Sequence, residues 1–194
     1  AALALTGCAH LDHHAHHNIE ADPARGVVPL TEDSTLVAVI QDVNDSGVAG
    51  TLFFTRMGEG IRVSGTVTGL DPNGKHGFHV HAYGDATNLD NGTSAGVHFN
   101  PFGHDHELAG STDHHAMAHA GDFPNLEADA NGTATVDFVA KAADLTFGPA
   151  AIIGRSIIIH EKEDVGDQPW GGAGGRIALA VIGLANPDSL PAAE

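Results

Sequence analysis

Histidines dominate the chemistry that this chain could perform, since 15 of its 194 residues are histidines. In the segment His76-Gly-Phe-His-Val-His81, His79 and His81 are two residues apart, so on an extended strand both imidazoles point to the same face. Phe78 and Val80 then point to the opposite face, where they can pack against a core. Two imidazoles placed in this way can bind one metal ion. His76 falls on the Phe78 face and is expected to have a structural role.

Further candidate ligands follow at wider spacing along the chain. His98 lies in the segment GVHFNP, His106 follows eight residues later, His119 and Asp122 belong to the segment HAGD, and an apolar stretch ends on His160. Several imidazoles with one carboxylate and no thiol are a donor set that suits Cu²⁺ and Zn²⁺ better than iron–sulfur clusters. The sequence therefore predicts a copper or zinc site that is built from distant segments.

The segments around these histidines alternate between apolar and polar residues with a period of two. In residues 61–70 and 133–140, apolar side chains share one face and polar side chains the other, which is typical of half-buried antiparallel strands. The same pattern predicts strands at residues 36–42, 51–56, 77–83, 155–160 and 177–182.

Two long segments, residues 84–125 and 161–175, interrupt this series of strands. Loops of that length in a compact domain are usually functional or disordered, and the histidines of the first segment favour function. We therefore predict an all-β fold, a Greek-key β-barrel or sandwich of about eight antiparallel strands with two long functional loops.

The charge balance of the chain excludes one class of partner. Eight Lys and Arg against 25 Asp and Glu give a formal net charge of −17 with histidine neutral, whereas a nucleic-acid binder needs a basic surface.

The longest apolar stretch, residues 177–185, is about half as long as a membrane-spanning helix requires. The single cysteine, Cys8, excludes a disulfide bond within this sequence.

The first residues resemble a processing signal. The tetrapeptide LTGC, which ends at Cys8, resembles the lipobox of bacterial lipoproteins, and a chance cysteine in a leader is the alternative. Five histidines between residues 10 and 17 either capture copper or zinc or belong to an inert leader. We predict a signal-peptide remnant, lipobox and His-rich linker in residues 1–33, a folded domain in residues 34–187 and a C-terminal tail in residues 188–194.

Five motifs, HGFHVHAYGD, TSAGVHFNP, HAGD, IIGRSIIIHEKED and GGRIALAVIG, occur in the order and spacing of one family. Through them the sequence resembles the copper–zinc superoxide dismutases over about residues 35–185. The resemblance implies one copper ion and one zinc ion per chain. It implies that copper is bound by His79, His81, His98 and His160, and that zinc is bound by His98, His106, His119 and Asp122.

The resemblance also implies roles beyond direct metal binding. Asp164 matches the carboxylate that connects the two metal sites through ligand imidazoles, and Arg176 matches the arginine that orients the anion beside copper. His98 would be the imidazolate that bridges both metals, and it would be catalytic together with Arg176. His104 matches no ligand position, although either His104 or His106 could reach zinc from the spacing alone.

The function that the resemblance implies is conversion of superoxide to oxygen and hydrogen peroxide by copper redox cycling, with a structural zinc. The alternative is a non-catalytic copper- and zinc-binding or buffering protein of the same fold. The expected partners are the superoxide anion, no nucleic acid, a membrane only through a lipid on Cys8, and in one alternative a second copy in a homodimer. An extracytoplasmic bacterial location with a lipid anchor, in the periplasm or at the cell surface, rests on the lipobox alone.

Two positions depart from the family pattern. The disulfide that the resemblance implies between the metal-site loop and the last strand is absent, because its two positions are Gly92 and Leu179. Zinc binding is then expected to hold residues 84–125, which should be poorly protected from hydrogen exchange in the metal-free protein. Trp170 stands in the second loop where a small polar residue is common, and is interpreted as a packing anchor, an interface residue or a group that narrows the channel mouth.

Overall fold

The computed structural model describes Asp22, residues 25–26, residues 28–108 and residues 118–190. The lipobox-like segment, the histidines between residues 10 and 17, and the pair His114 and His115 lie outside the described residues.

The chain divides into two units, Ala1–Leu30 and Thr31–Glu194. Among the described residues of the first unit, Arg25 pairs with Asp22 at 3.3 Å. In the part of the chain that the structure describes, no helix is long and apolar enough to span a bilayer. The domain limits at residues 34 and 187 stay a prediction.

The second unit is built from β-strands, which confirms the predicted all-β class. Seven strands form one antiparallel sheet in the order β5-β8-β9-β1-β2-β3-β7, and two short strands, β4 and β6, pair with each other. The strands are β1 (Leu36–Asp42), β2 (Ala49–Met57), β3 (Gly60–Thr68), β4 (Lys75–His76), β5 (Phe78–His81), β6 (Leu126–Glu127), β7 (Ala134–Ala140), β8 (Ser156–His160) and β9 (Arg176–Leu184).

The pairing of β9 with β1 defines the topology of the sheet. Strands β1, β2 and β3 are consecutive neighbours, whereas β9 returns from the far end of the chain to pair with β1, with Ala38 opposite Ile182. A last strand that lies beside the first is the device of Greek-key folds. Strands β8 and β5 lie beyond β9 at one edge of the sheet, and the two long loops follow these two strands in the chain.

The seven predicted strands coincide with the seven strands of the large sheet within a few residues at each end. Strands β4 and β6 were not predicted, because two residues are too few to show an alternation. Lys75 pairs with Glu127 and His76 with Leu126 in this small ladder. The ladder fixes the chain immediately before β5, and so it fixes the histidines that β5 carries.

Alternate side chains of the large sheet form the main core. Leu36 and Ala38 on β1, Leu52 and Phe54 on β2, and Val63 on β3 are fully buried in one apolar cluster. Apolar burial of this kind contributes about 25 cal/mol per Å² of area removed from water. On β5 and β8, at one edge of the sheet, the side chains that alternate with the core residues lie outside this cluster. The candidate metal-binding histidines of these strands are among them.

Candidate metal centre

Strand β5 separates the core from a group of imidazoles. Phe78 and Val80 belong to the main apolar cluster, whereas His79 and His81 belong to a buried group of potential metal ligands. Strand β8, which pairs with β5, ends on His160 of the same group. The two faces of β5 are therefore used as the sequence alternation predicts.

The first group consists of four buried imidazoles whose candidate ligand atoms all lie within 4.8 Å of one another: His79, His81, His98 and His160. His98 reaches this group from the loop after β5, because the chain turns back beside the strand. Val80 O accepts from Phe99 N at 2.8 Å, and Ala82 N donates to Val97 O at 2.8 Å. The loop thus extends the sheet by one short ladder, which sets His98 beside His81.

The second group shares His98 with the first and surrounds one carboxylate oxygen: His98, His106, His119 and Asp122. Asp122 Oδ1 lies 3.2 Å from His98 Nδ1, 3.0 Å from His106 Nδ1 and 3.2 Å from His119 Nδ1. A tetrahedral zinc ion with bonds of about 2.0–2.1 Å has ligand atoms about 3.3 Å apart. The three oxygen–nitrogen distances fit such an ion, and all four candidate ligand atoms lie within 4.8 Å of one another.

The peptide backbone holds Asp122 in this position. Asp122 Oδ2 accepts from Glu107 N at 3.0 Å and from His119 N at 3.3 Å, and Asp122 N closes a turn onto His119 O at 3.2 Å. Because one carboxylate oxygen is fixed by N–H donors, the other faces the three imidazoles. The Asp122 side chain therefore joins two distant segments of the loop, around residues 106 and 119.

Asp164 links the two groups. Its Oδ2 lies 2.7 Å from His79 Nε2, and its Oδ1 lies 3.1 Å from His106 Nε2. The side chain of Asn125 fixes the Asp164 backbone by accepting from its N–H at 2.8 Å and donating to its carbonyl oxygen at 2.9 Å. Gly171 (φ 77°) allows this packing, because a Cβ at that position would overlap the Asp164 carboxylate.

The hydrogen bonds define which ring nitrogens are free to bind a metal. The Nδ1 atoms of His81 and His160 face the carbonyl oxygens of Gly96 and Gly174 at 3.0 and 3.2 Å, so each ring donates from Nδ1 and keeps its lone pair on Nε2. The buried atoms His81 Nε2, His160 Nε2 and His79 Nδ1 have no hydrogen-bond partner among the described residues. Buried unpaired nitrogens are costly, and metal ions would satisfy them.

Three imidazoles of the first group, His81, His98 and His160, are neutral at pH 7. Burial lowers the pKa of His98 to about 4 against the opposing pull of Asp122, and burial together with the neighbouring His79 lowers the pKa of His160 to about 3. Burial and the neighbouring His98 also lower the pKa of His81 well below its usual value. These imidazoles are unprotonated at pH 7, as metal ligands must be.

The second group is held by charge in the absence of a metal ion. Burial opposes charge on His106, but hydrogen bonds and charge interactions with Asp122 and Asp164 outweigh it and raise the pKa of His106 to about 9. Burial would also raise the pKa of both carboxyl groups, yet their hydrogen bonds to histidines hold each pKa well below its usual range. A metal ion bound by His106 would have to displace this proton, because a ligand imidazole must be unprotonated at the nitrogen that binds the metal.

A cavity of about 500 Å³ opens beside the first group. His81, His98 and His160 lie on its wall together with Arg176, the only Lys or Arg among the described lining residues, and Trp170. An anion that enters the cavity therefore meets one guanidinium next to the imidazoles.

The guanidinium of Arg176 also fastens the first loop. Its two terminal nitrogens donate to the backbone carbonyl oxygens of Gly92 and Gly96. Between these two glycines, a short 3₁₀ turn (Thr93–Ala95) leads towards His98. Arg176 thus lines the cavity and positions the segment that carries the histidine shared by both groups.

A second apolar cluster surrounds Leu179, one of the two positions at which the resemblance implies a disulfide. Leu179 is 1% exposed and packs with Val43, Ala95 and Ile158, and the loop residues Ala86 and Leu89 pack against them. Apolar packing and Arg176 hold this loop, and the expected contribution of zinc stays a prediction. The alternation within β9 placed Leu179 away from the main core, but nothing local showed what it would meet.

The structure also separates the remaining histidines. His106, and not His104, belongs to the second group; His104 stacks on Phe102 and its Nδ1 lies 3.1 Å from Ala118 O. His76 lies outside both ligand groups, and its Nδ1 lies 2.9 Å from the backbone oxygen of His160. His76 thus contacts the backbone of His160, a histidine of the first group, which is a structural role of the kind expected.

Comparisons with known proteins agree with this architecture. The family model described as copper/zinc superoxide dismutase matches residues 48–182. The extracellular superoxide dismutase [Cu-Zn] of Brugia pahangi is 40% identical over 165 residues, which cover 80% of this chain and 78% of that protein. The crystal structure of the clock protein EA4 matches with a TM-score of 0.69 and 35% identity over 81% of this chain and 99% of that one.

The fold, the two linked ligand groups and these similarities define one class of protein: the chain belongs to the copper/zinc superoxide dismutase family. It is a superoxide dismutase, an oxidoreductase, with one copper and one zinc ion per chain. The resemblance of the five sequence motifs is thereby confirmed, and so is the β-barrel or sandwich class.

Proposed function

We propose that the first group binds the catalytic copper ion and the second group the structural zinc ion of this dismutase. Copper would be held by His79 Nδ1 and by Nε2 of His81, His98 and His160; zinc would be held by His98 Nδ1, His106 Nδ1, His119 Nδ1 and one oxygen of Asp122. The observation that carries this assignment is the position of His98, whose ring is common to both groups. Nitrogens at opposite sides of one imidazole can face two metals at once.

Asp164 sets the orientation of two ligand rings in this proposal. By accepting from Nε2 of His79 and of His106, it leaves the lone pair of each ring on Nδ1. One ring belongs to the copper group and the other to the zinc group. A shift of either ring would therefore change the position of the other through a single carboxylate. Asp164 is a positioning residue, since it touches neither cavity nor substrate.

Copper supplies the redox step when bound, because it alternates between Cu²⁺ and Cu⁺ whereas zinc has no redox chemistry. Arg176 binds the superoxide anion at the cavity wall and directs it towards the imidazoles. Two superoxide anions and two protons yield one oxygen and one hydrogen peroxide, so protons must be delivered in the second half-reaction. His98 Nε2 would supply one of these protons: it would take the proton from solvent when its lone pair is not bound to the metal and donate it to the superoxide that is reduced, and the second proton would come directly from solvent.

Metal counting and kinetics on the same sample test this proposal. The full chain, reconstituted with both metals, should contain one copper and one zinc and accelerate superoxide decay. His81→Ala should lose copper and activity while it keeps zinc, and His119→Ala should lose zinc first. Full metal occupancy without dismutation would contradict the assignment and favour the metal-buffering alternative.

The location and assembly of the chain are proposed separately. An extracytoplasmic location is supported by the name of the Brugia pahangi relative, an extracellular enzyme, and a bacterial lipid anchor on Cys8 by the LTGC tetrapeptide. Incorporation of labelled fatty acid into the chain, and its loss in Cys8→Ser, tests the anchor. A homodimer is tested by the molar mass in solution across protein concentrations.

A further inference from the structure

Trp170 covers the imidazole that the two ligand groups share. Its ring centroid lies 5.5 Å from that of His98 and 6.2 Å from that of His119. The side chain is 45% exposed, so one side of the indole faces solvent and the other faces the histidines. Apart from histidine, it is the only aromatic residue among the described residues that line the cavity.

The loop that carries Trp170 is tied to the second ligand group. Gln168 Nε2 donates to His106 O at 2.6 Å, and Gln168 Oε1 accepts from His106 N at 3.1 Å. Asp167 O accepts from Gly171 N at 2.6 Å, and Val165 N donates to Gly171 O at 2.9 Å. These bonds close the segment on both sides of Trp170, so the backbone that carries the indole is held in place.

The size of the cavity explains why such a group matters. One water molecule occupies about 30 Å³ in the liquid, so a cavity of about 500 Å³ is much larger than a diatomic anion requires. Arg176 attracts any small anion, and charge alone does not distinguish superoxide from larger anions. Discrimination between them needs a bulky group between this cavity and the imidazoles, and the indole, whose ring centroid lies 5.5 Å from that of His98, is the bulkiest uncharged side chain on the wall.

We infer that Trp170 is a specificity-determining residue that limits the size of the anions able to reach the copper-side imidazoles. This inference rests on the proposed function, because it requires copper at the first group. A small linear anion passes the indole, whereas an anion with a ring meets it. Gln168 is the positioning residue of this filter, since it fixes the loop to the backbone of His106.

Anion binding to the copper- and zinc-loaded protein tests the inference without using turnover. Azide serves as the small anion and benzoate as the bulky one, and the electron paramagnetic resonance spectrum of Cu²⁺ reports binding of each. Trp170→Ala should tighten benzoate binding by about tenfold and change azide binding by less than about twofold. Trp170→Phe should fall between these values. Phe147→Ala, which removes an aromatic side chain that is 52% exposed and does not line the cavity, should change neither.

The outcomes distinguish this inference from the proposed function. A chain that binds no copper, or whose copper spectrum does not respond to azide, overturns both. Normal copper and azide binding, with equal effects of Trp170→Ala on the two anions or with no effect, overturns only the size filter.

Fluorescence gives an independent readout, because Trp170 is the single tryptophan of the chain. Its emission should be quenched when copper is added to the zinc-loaded protein. Unchanged emission would place the indole away from the copper group and overturn the inference. An emission maximum that shifts with protein concentration would place the indole in an interface between copies, with the same consequence.

Discussion

Arg176 donates a hydrogen bond from Nη1 to the backbone carbonyl oxygen of Gly92, which lies 84 residues earlier in the chain. Gly92 has φ 67° and stands where the resemblance implies a cysteine, and a Cβ at this position would lie 3.2 Å from Arg176 Cδ. The arginine that we propose to bind the anion therefore also holds the loop that bears His98. In this proposal, anion binding and loop geometry depend on one side chain.

Replacement of Arg176 should consequently have two separable effects. Arg176→Ala should lower kcat/KM for superoxide by about 10- to 100-fold, because the only guanidinium among the described cavity residues is lost. It should also raise amide hydrogen exchange in residues 92–98. Arg176→Lys should restore part of the rate but not the protection, since an ammonium group does not reproduce the fork of two donors. Arg62→Ala, at an exposed Arg–Asp pair on β3, is the control and should change neither.

Truncation of Leu179 tests the apolar cluster that stands in place of the disulfide. Leu179→Ala should lower the free energy of unfolding of the metal-free protein by about 2–5 kcal/mol, because a buried leucine leaves a cavity. Exchange in residues 84–96 should rise more than in β2 and β3. Leu184→Ala on the same strand, at a residue that is 38% exposed, is the matched control. Equal destabilisation by the two variants would mean that the cluster does not fasten the loop.

Asp167 is the only carboxylate among the described residues that line the cavity, and it opposes the approach of an anion. Asp167→Asn should raise kcat/KM about twofold at low salt, because a unit charge about 10 Å away in water contributes roughly 0.4 kcal/mol. The gain should shrink as salt is added. Glu59→Gln, in the turn between β2 and β3, makes the same change in net charge. A comparable acceleration by Glu59→Gln would attribute the effect to the charge of the whole protein.

The raised pKa of His106 predicts how the stability of the metal-free protein depends on pH. The folded state binds the proton with a pKa of about 9, whereas the unfolded value is 6.5, so this stabilisation is complete below pH 6.5 and is lost as pH rises through 9. The free energy of unfolding should fall over that window by up to roughly 3 kcal/mol. Chemical denaturation at several pH values measures it. His106→Gln should flatten the curve, and His104→Gln should not.

Removal of both metals should act mainly on the first loop. The zinc-side ligands come from two segments of it, around residues 106 and 119, and the contacts of Asp122 with His98, His106 and His119 join them at the site. Hydrogen exchange in residues 98–108 and 118–125 should therefore increase on metal removal far more than in the strands. Equal protection with and without metal would contradict the role of zinc in ordering this segment.

The sequence was sufficient for the features that repeat or that keep a fixed spacing. Alternation located the strands of the large sheet, and the two-residue spacing of His79 and His81 gave their common face. It was not sufficient for contacts between a side chain and a distant backbone. Gln168 meets His106 at a separation of 62 residues, and no local pattern marks such a pair. The apolar cluster around Leu179 was not predicted for the same reason, since its members come from separate strands and one loop.

The apolar fastening of the loop has a thermal signature that a covalent bond would lack. Hydrophobic stabilisation weakens on cooling, because the transfer of apolar groups from water carries a large heat-capacity change. The packing of Leu89 and Ala86 on Leu179 is therefore firmest at intermediate temperature and loosens towards freezing. Cooling and heating should both release the loop from this cluster. The temperature dependence of apolar hydration sets the temperature range over which the loop stays packed.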